Sequence, residues 1–321
     1  MTRKILFITS TRIGDAVLST GLVHHMLTAY PDAQITVACG PLVASLFEGV
    51  PHLARLIVLK KKPYKKHWAE LWGACVGTYW DVVVDLRNSA VSRLIFSRDK
   101  YIFGPHIDEI LHKVVQNARV MKLDVVPDPC LYTTSEQKNK AETLIPAGTP
   151  VLGVGPTSNW IGKTWEAEKF IELVSRVTAE GGVCSGWRVA VFGAPSEEDI
   201  ARQVLYALPE DKRLDVVAKG TPGEAAACLE RCSFYIGNDS GLMHSAAAAG
   251  VPTLGLFGPT DHTVYGPYGA KATYVRTPES KDDLIGYEGF NSKTLTHTLM
   301  SGLSVDAVEN ALNAHFRKLQ L

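Results

Sequence analysis

Six cysteines in 321 residues, at positions 39, 75, 130, 184, 228 and 232, form no Cys-x-x-Cys pair and no zinc-type spacing. Cys228 and Cys232 lie one helical turn apart, where two thiols share a face, and are expected to be buried as small apolar residues. The ten histidines do not cluster at ligand spacing either, so no dedicated metal site is expected. No apolar run reaches the roughly 18–20 residues that a membrane-spanning helix needs. The charged start (Met1 to Lys4) passes directly into a strand rather than into the apolar helix of a signal peptide, so the expectation is a cytoplasmic protein. No Gly-x-Gly-x-x-Gly follows the first strand, so a dinucleotide site of the usual kind is not supported and no cofactor is expected. Net charge is absent too: 33 basic residues balance 33 acidic ones.

That balance hides an asymmetry. Residues 1–150 hold 18 Lys and Arg against 13 Asp and Glu, a balance of +5, and residues 151–321 carry the compensating −5. Much of the excess is Lys60, Lys61, Lys62, Lys65 and Lys66, followed by His67 and Trp68. Such a run can dock on an anionic membrane surface, steer an anionic substrate, or be a solvated loop. No nucleic-acid motif accompanies it, and nucleic acid is not expected as a partner.

With 46% hydrophobic and 21% charged residues, the chain reads as an ordinary globular protein long enough for two domains. Strands and helices alternate. Strands are expected over 5–9, 35–38, 56–59 and 81–86, with helices over 16–29 and 68–79. A proline-rich stretch, 125–150, reads as the interdomain region, giving domains 1–150 and 151–321. A second series follows, with strands over 151–155, 188–193, 234–236 and 253–257 and helices over 166–180, 197–207, 222–232 and 242–249. The class is therefore α/β: two doubly wound units, with a cleft lined by the carboxyl ends of both parallel sheets.

Three loops end their strands at that edge. In the loop after the first strand, Asp15 precedes a helix, either as a cap or as a general base. The loop over 155–165 holds Ser158, Asn159 and Lys163; Lys163 either neutralises a phosphate or decorates a helix start. The third, Asn238-Asp239-Ser240-Gly241, opens an alanine-rich helix, and its backbone N–H groups suit an anion while Asp239 suits a hydroxyl-rich ligand. Read without any ligand, it is a capped helix. His244 reads either as a buried core histidine or as a donor-site group. Trp160, Trp165 and Trp187 read as packing residues.

Gly14-Asp15 running on to Thr20, Lys163-Thr164-Trp165, and the block from Asn238 to His244 followed by Gly250, Pro252 and Phe257 to Thr260 together resemble the bacterial ADP-heptose:lipopolysaccharide heptosyltransferase family, nearly end to end. The resemblance implies a GT-B fold, two Rossmann-like domains, and an inverting, metal-independent transfer from a nucleotide sugar, in a Gram-negative bacterium. It implies the N-terminal domain for the acceptor and the C-terminal one for the donor. Asp15 would be the catalytic base. Ser158, Asn159, Lys163, Glu197, Asp239, Ser240, Gly241, Leu242 and His244 would hold the donor, with Glu197 either near the ribose or simply a first-turn helix carboxylate. Arg12, Lys61, Lys62, Lys65, Lys66 and Arg87 would face the acceptor or a membrane. The implied partners are ADP-heptose and a phosphorylated, lipid-linked oligosaccharide, with peripheral contact to the inner membrane. Departures exist: Gly21 and Glu166 stand where the family often has Pro, and no cysteine lies around 295–304, as in a divergent member. Two rival functions are another GT-B enzyme, an epimerase included, and a non-catalytic sugar-nucleotide-binding protein.

Overall fold

The computed structural model describes residues 2–321 and divides them into two compact units that part at Ser135 and Glu136. In the first unit, β1 (Lys4–Ile8), α1 (Ile13–Val17), α2 (Thr20–Ala29), β2 (Gln34–Cys39), β3 (Leu53–Val58), α3 (Lys66–Cys75), β4 (Trp80–Asp85), α4 (Val91–Leu94), β5 (Ser97–Ile102) and α5 (Lys113–Val120) follow one another. The five strands are all parallel, in the order β3-β2-β1-β4-β5. One face of the sheet, with Leu6, Ile8 and Val83, packs on Leu71 and Cys75 of α3 and on Val91. The other buries Phe7 edge-on against Phe47.

The second unit begins within α6 (Ser135–Leu144) and continues through β6 (Val151–Gly155), α7 (Ala167–Thr178), β7 (Arg188–Val191), α8 (Glu198–Tyr206), β8 (Arg213–Asp215), α9 (Pro222–Leu229) and β9 (Phe234–Asn238). It ends with α10 (Gly241–Ala248), β10 (Thr253–Phe257), α11 (His262–Tyr265), β11 (Ala272–Arg276), α12 (Lys281–Ile285) and α13 (Val305–Leu319). Its six strands are also all parallel, in the order β11-β10-β9-β6-β7-β8. Alternation along each strand sorts side chains between two cores. Phe234 and Ile236 face α7, α8 and α13, whereas Tyr235 joins Cys228, Cys232 and Met243 under α6, α9 and α10. All six cysteines are free thiols, and burial pushes Cys39 and Cys184 up to about 12 and Cys228 up to about 11. Cys228 and Cys232 are packing groups.

Two parallel α/β sheets match the expected class, with differences in detail. The division at Ser135 falls earlier than the expected boundary at 150, because Ala141 and Ile145 bury in the second unit's core and Lys140 pairs with Glu224 at 2.9 Å. The single helix expected over 16–29 is two helices. Ser19 and Thr20 donate their hydroxyls to the carbonyls of Ala16 and Val17, both at 2.7 Å, and break it there. The first of the two also starts earlier than expected, at Ile13, so Asp15 lies inside its first turn instead of ahead of a helix. Strand β5, with the polar, half-exposed sequence SRDKYI, carries no apolar run and was not expected.

Candidate active site

In the second unit, β6 pairs with both β7 and β9, and Gly155 lies level with Gly237. The loops leaving these three strands are therefore neighbours at the carboxyl edge. Asn238, fully buried at the end of β9, accepts the Trp165 N–H at 3.0 Å and ties the loop after β6 to the loop after β9. That tie brings the Lys163 ammonium to 3.1 Å from Asp239 Oδ2. The pair is largely buried, at 17% and 6% side-chain exposure. His244 Nε2 approaches the other carboxylate oxygen at 3.7 Å. Two side chains of opposite charge and an imidazole thus converge beside the start of α10.

Ser240 is the N-cap of that helix, with extended backbone, yet its side chain caps nothing. Among the described residues no side chain caps the start of this helix by a hydrogen bond, which leaves the partial positive charge of the helix end at the Gly241 and Leu242 amides. Close by, Thr157 Oγ1 and Asn238 Nδ2 are buried without a hydrogen-bond partner. Buried groups of this kind cost free energy unless a ligand or water meets them.

A segment near the C-terminus braces the Lys163 loop from outside. Trp160 Nε1 donates to the Ser292 carbonyl at 3.1 Å, the Thr298 hydroxyl to the Thr164 carbonyl at 2.5 Å, and the Leu299 N–H to the Gly162 carbonyl at 3.0 Å. Ser158 serves the same loop, its hydroxyl bonding the Trp160 carbonyl at 2.8 Å and Thr164 Oγ1 at 2.9 Å, while Asn159 stands exposed at the tip. Trp165 is fully buried, donating to the Leu303 carbonyl at 2.9 Å and packing edge-on against Phe170. Glu197, after β7, accepts the Ala194 N–H at 3.4 Å, which is the bond of a first-turn helix carboxylate.

In the first unit, the loops after β1 and β4 adjoin because those strands pair. Asp15 is half-buried and accepts the Ser10 hydroxyl at 3.4 Å, while Arg12 and Arg87 are exposed. Lys113, at the start of α5, was not expected here. Its ammonium lies 4.6 Å over the Phe103 ring and donates to Gln116 Oε1 at 3.0 Å. Burial holds it below the ordinary lysine range, opposed by the charges of Asp15 and Glu109. The lysine run leaves β3 at the same carboxyl edge, two strands from β1, and Lys60, Lys61, Lys62, Lys65 and Lys66 are all exposed. Lys62 pairs with Glu70 at 2.5 Å; Tyr64, 94% exposed, and Lys65 take left-handed backbone. Among the described residues, no group of three His, Cys, Asp or Glu side chains sits within reach of one metal ion. No helix among them is long and apolar enough to cross a membrane.

Residues 104–288, more than half of the chain, match the model of "Glycosyltransferase family 9 (heptosyltransferase)". Lipooligosaccharide heptosyltransferase 2 of Haemophilus influenzae is 27% identical over 319 residues, covering 87% of this chain and 90% of that protein. Among solved structures, a family 9 glycosyl transferase from Veillonella parvula superposes with a TM-score of 0.78 at 21% identity, covering 98% of both chains. The ADP-heptose LPS heptosyltransferase II of E. coli gives a TM-score of 0.75 at 20% identity, covering 99% of this chain and 100% of that one. The fold is accordingly GT-B. The chain belongs to glycosyltransferase family 9, the heptosyltransferases, and is a glycosyltransferase.

Proposed function

We propose that this enzyme transfers heptose from ADP-heptose to a phosphorylated, lipid-linked lipopolysaccharide core, with inversion at the anomeric carbon and without a metal ion. The observation that carries the donor half is the convergence of Lys163, Asp239 and the uncapped start of α10 on one sheet edge. A diphosphate there meets a cation and backbone donors together, and its charge grows as the glycosidic bond breaks. Lys163 and the amides of Gly241 and Leu242 take that charge. Asp239 and His244 orient the Lys163 ammonium and the donor's hydroxyls, Ser158 and Asn159 shape the loop, Ser240 opens the helix, and Glu197 faces the ribose. Asp15 of the first unit takes the proton from the acceptor hydroxyl. The freed oxygen attacks the anomeric carbon from the face opposite the nucleoside diphosphate, which leaves with the bonding electron pair.

Charge supports the acceptor half. The first unit carries the +5 balance, and Arg12, Arg87 and the lysine run crowd its carboxyl edge, suiting a phosphorylated acceptor displayed on the cytoplasmic face of an anionic membrane. The test is incubation with ADP-heptose and heptose-deficient lipopolysaccharide, in buffer and in EDTA. We expect an acceptor-dependent, anomerically inverted product whose rate is unchanged by the chelator. Donor turnover without an acceptor product would refute transfer, and a chelator loss restored by Mg²⁺ or Mn²⁺ would refute metal independence.

A further inference from the structure

The turn that carries Lys163 is too short to hold its own shape. Ile161–Lys163 is a single 3₁₀ turn with no side-chain cap. Its internal bonds run from the Lys163 N–H to the Trp160 carbonyl at 3.2 Å and from the Thr164 N–H to the Ile161 carbonyl at 3.0 Å. Bonds of that pattern do not by themselves fix so short a helix. The carbonyls on either side of Lys163 are held from outside. That of Gly162 accepts the Leu299 N–H at 3.0 Å, and that of Thr164 accepts the Thr298 hydroxyl at 2.5 Å. Gly162 also shows how closely the two segments pack, since a Cβ there would collide with the Trp160 indole and with Leu295.

Thr298 is tied into this contact from both sides. Its Oγ1 accepts the Met300 N–H at 2.9 Å, which leaves the hydroxyl proton for the Thr164 carbonyl. Met300 is fully buried in the same core as Leu303, and the Leu303 carbonyl takes the Trp165 indole N–H at 2.9 Å. The hydroxyl therefore joins the Lys163 turn to a fixed point in the fold. Such a brace matters because of the side chain that the turn aims. Lys163 ends 3.1 Å from Asp239 with only 17% of its side chain exposed, so a shift of the turn draws the ammonium out of a confined place.

We propose that Thr298 is a positioning residue for the transfer reaction: by holding the Thr164 carbonyl it keeps the Lys163 ammonium beside Asp239, where the leaving diphosphate meets it. The inference rests on the reading that Lys163 faces that diphosphate. Thr298 acts through the main chain of the turn and not through the substrate. Removing its hydroxyl leaves the Thr164 carbonyl without the bond that fixes it.

The experiment compares T298V and T298A, which remove the hydroxyl, with T298S, which keeps it, and crosses T298V with K163M in a double-mutant cycle. Turnover is followed with ADP-heptose and heptose-deficient lipopolysaccharide. In parallel, the rate at which acetic anhydride acetylates Lys163 in the ligand-free protein is read by peptide mass spectrometry. T298V and T298A should lower kcat about tenfold with the donor KM within about twofold, and T298S should keep the wild-type kcat. In the K163M background T298V should change kcat by less than about twofold, because no ammonium remains to be placed. Acetylation of Lys163 should rise severalfold in T298V and T298A and stay at the wild-type rate in T298S. T296V, which changes an exposed threonine of the same segment, is the control and should move neither readout. An equal kcat loss in both backgrounds, Lys163 acetylation unmoved by T298V, or the same pattern from T296V would overturn the proposal. If wild type made no product from ADP-heptose, the donor reading of Lys163 would fail, and acetylation would still decide whether Thr298 holds it in place.

Discussion

Replacing Lys163 with Met separates what the buried ion pair does for the fold from what it does for the reaction. At 3.1 Å and an effective dielectric of about 20, the gross attraction between Lys163 and Asp239 is about 5 kcal/mol. Most of that offsets desolvation while both partners are present. With Lys163 gone, Asp239 is left at 6% exposure with a buried charge, and breaking such a pair costs about 3–5 kcal/mol. The lower end applies, because His244 remains 3.7 Å away and Lys163 itself keeps 17% exposure. We therefore expect K163M to lose about 3 kcal/mol in urea unfolding, and K163M/D239N to regain more than half of it by removing the stranded charge. Turnover should behave differently. Without the cation facing the leaving diphosphate, kcat/KM should fall by about 10²–10³, and the double variant should recover none of it. A single variant costing less than about 1 kcal/mol would refute the stability argument. A double variant that regained turnover would show that the stranded charge, and not the lost cation, was what stopped the reaction.

Asp15→Asn should lower kcat by about 10²–10⁴ while leaving ADP affinity within twofold, and near-wild-type turnover under single-turnover conditions would dismiss Asp15 as the base. Changing Lys61, Lys62, Lys65 and Lys66 to Gln should weaken sedimentation with anionic vesicles and raise the acceptor's KM with donor affinity unchanged; wild type should show the same weakening in added salt, since exposed charges are screened over about 8 Å. Wild-type vesicle binding and acceptor KM in that variant would make the lysines a solvated loop. Burial holds the His315 imidazole below its ordinary value, with its Nε2 bonded to the Lys271 carbonyl at 2.9 Å. The unfolded chain therefore takes up a proton near pH 6.5 that the folded one resists, and stability should fall as pH drops below about 6.5. His315→Gln should flatten that slope in urea titrations across pH 5–7, and an unchanged slope would place its origin elsewhere, His262 being the first alternative because its burial has the same sign.

The strands most legible in the sequence are those buried on both faces. Val151–Gly155 and Thr253–Phe257 are continuous apolar runs, and both occur at the expected residues. Among the elements that escaped, three are marginal in composition: β5, with charged residues on an edge strand, β8, with three residues, and α6, a polar helix inside a proline-rich stretch. Helix α6 moved the domain boundary. Its only sequence trace is the placement of Ala141 and Ile145 four residues apart, too short a stripe to argue a core helix from periodicity, although both are buried.

The loops of the candidate site stood out for a different reason: charge and glycine occur there without an apolar pattern to explain them. Lys163 and Asp239 are 76 positions apart, and nothing local announces that they meet. Their contact follows from β6 lying beside β9, which is a property of strand order and not of either loop. The loops' supports were hidden for the same reason. Lys113 reaches the neighbourhood of Asp15 from an unexpected helix, and Ser292, Thr298 and Leu299 brace Lys163 from a segment with no periodicity of its own. Tyr235 is intermediate. A tyrosine in an otherwise apolar strand needs somewhere for its hydroxyl to go, and glycine two residues later clears the path along the same face. Gly155, level with Gly237 on the paired strand, completes the slot. The glycine two residues on is legible in the sequence; only the register of two parallel strands brings the second glycine, 80 positions earlier, against the same phenol.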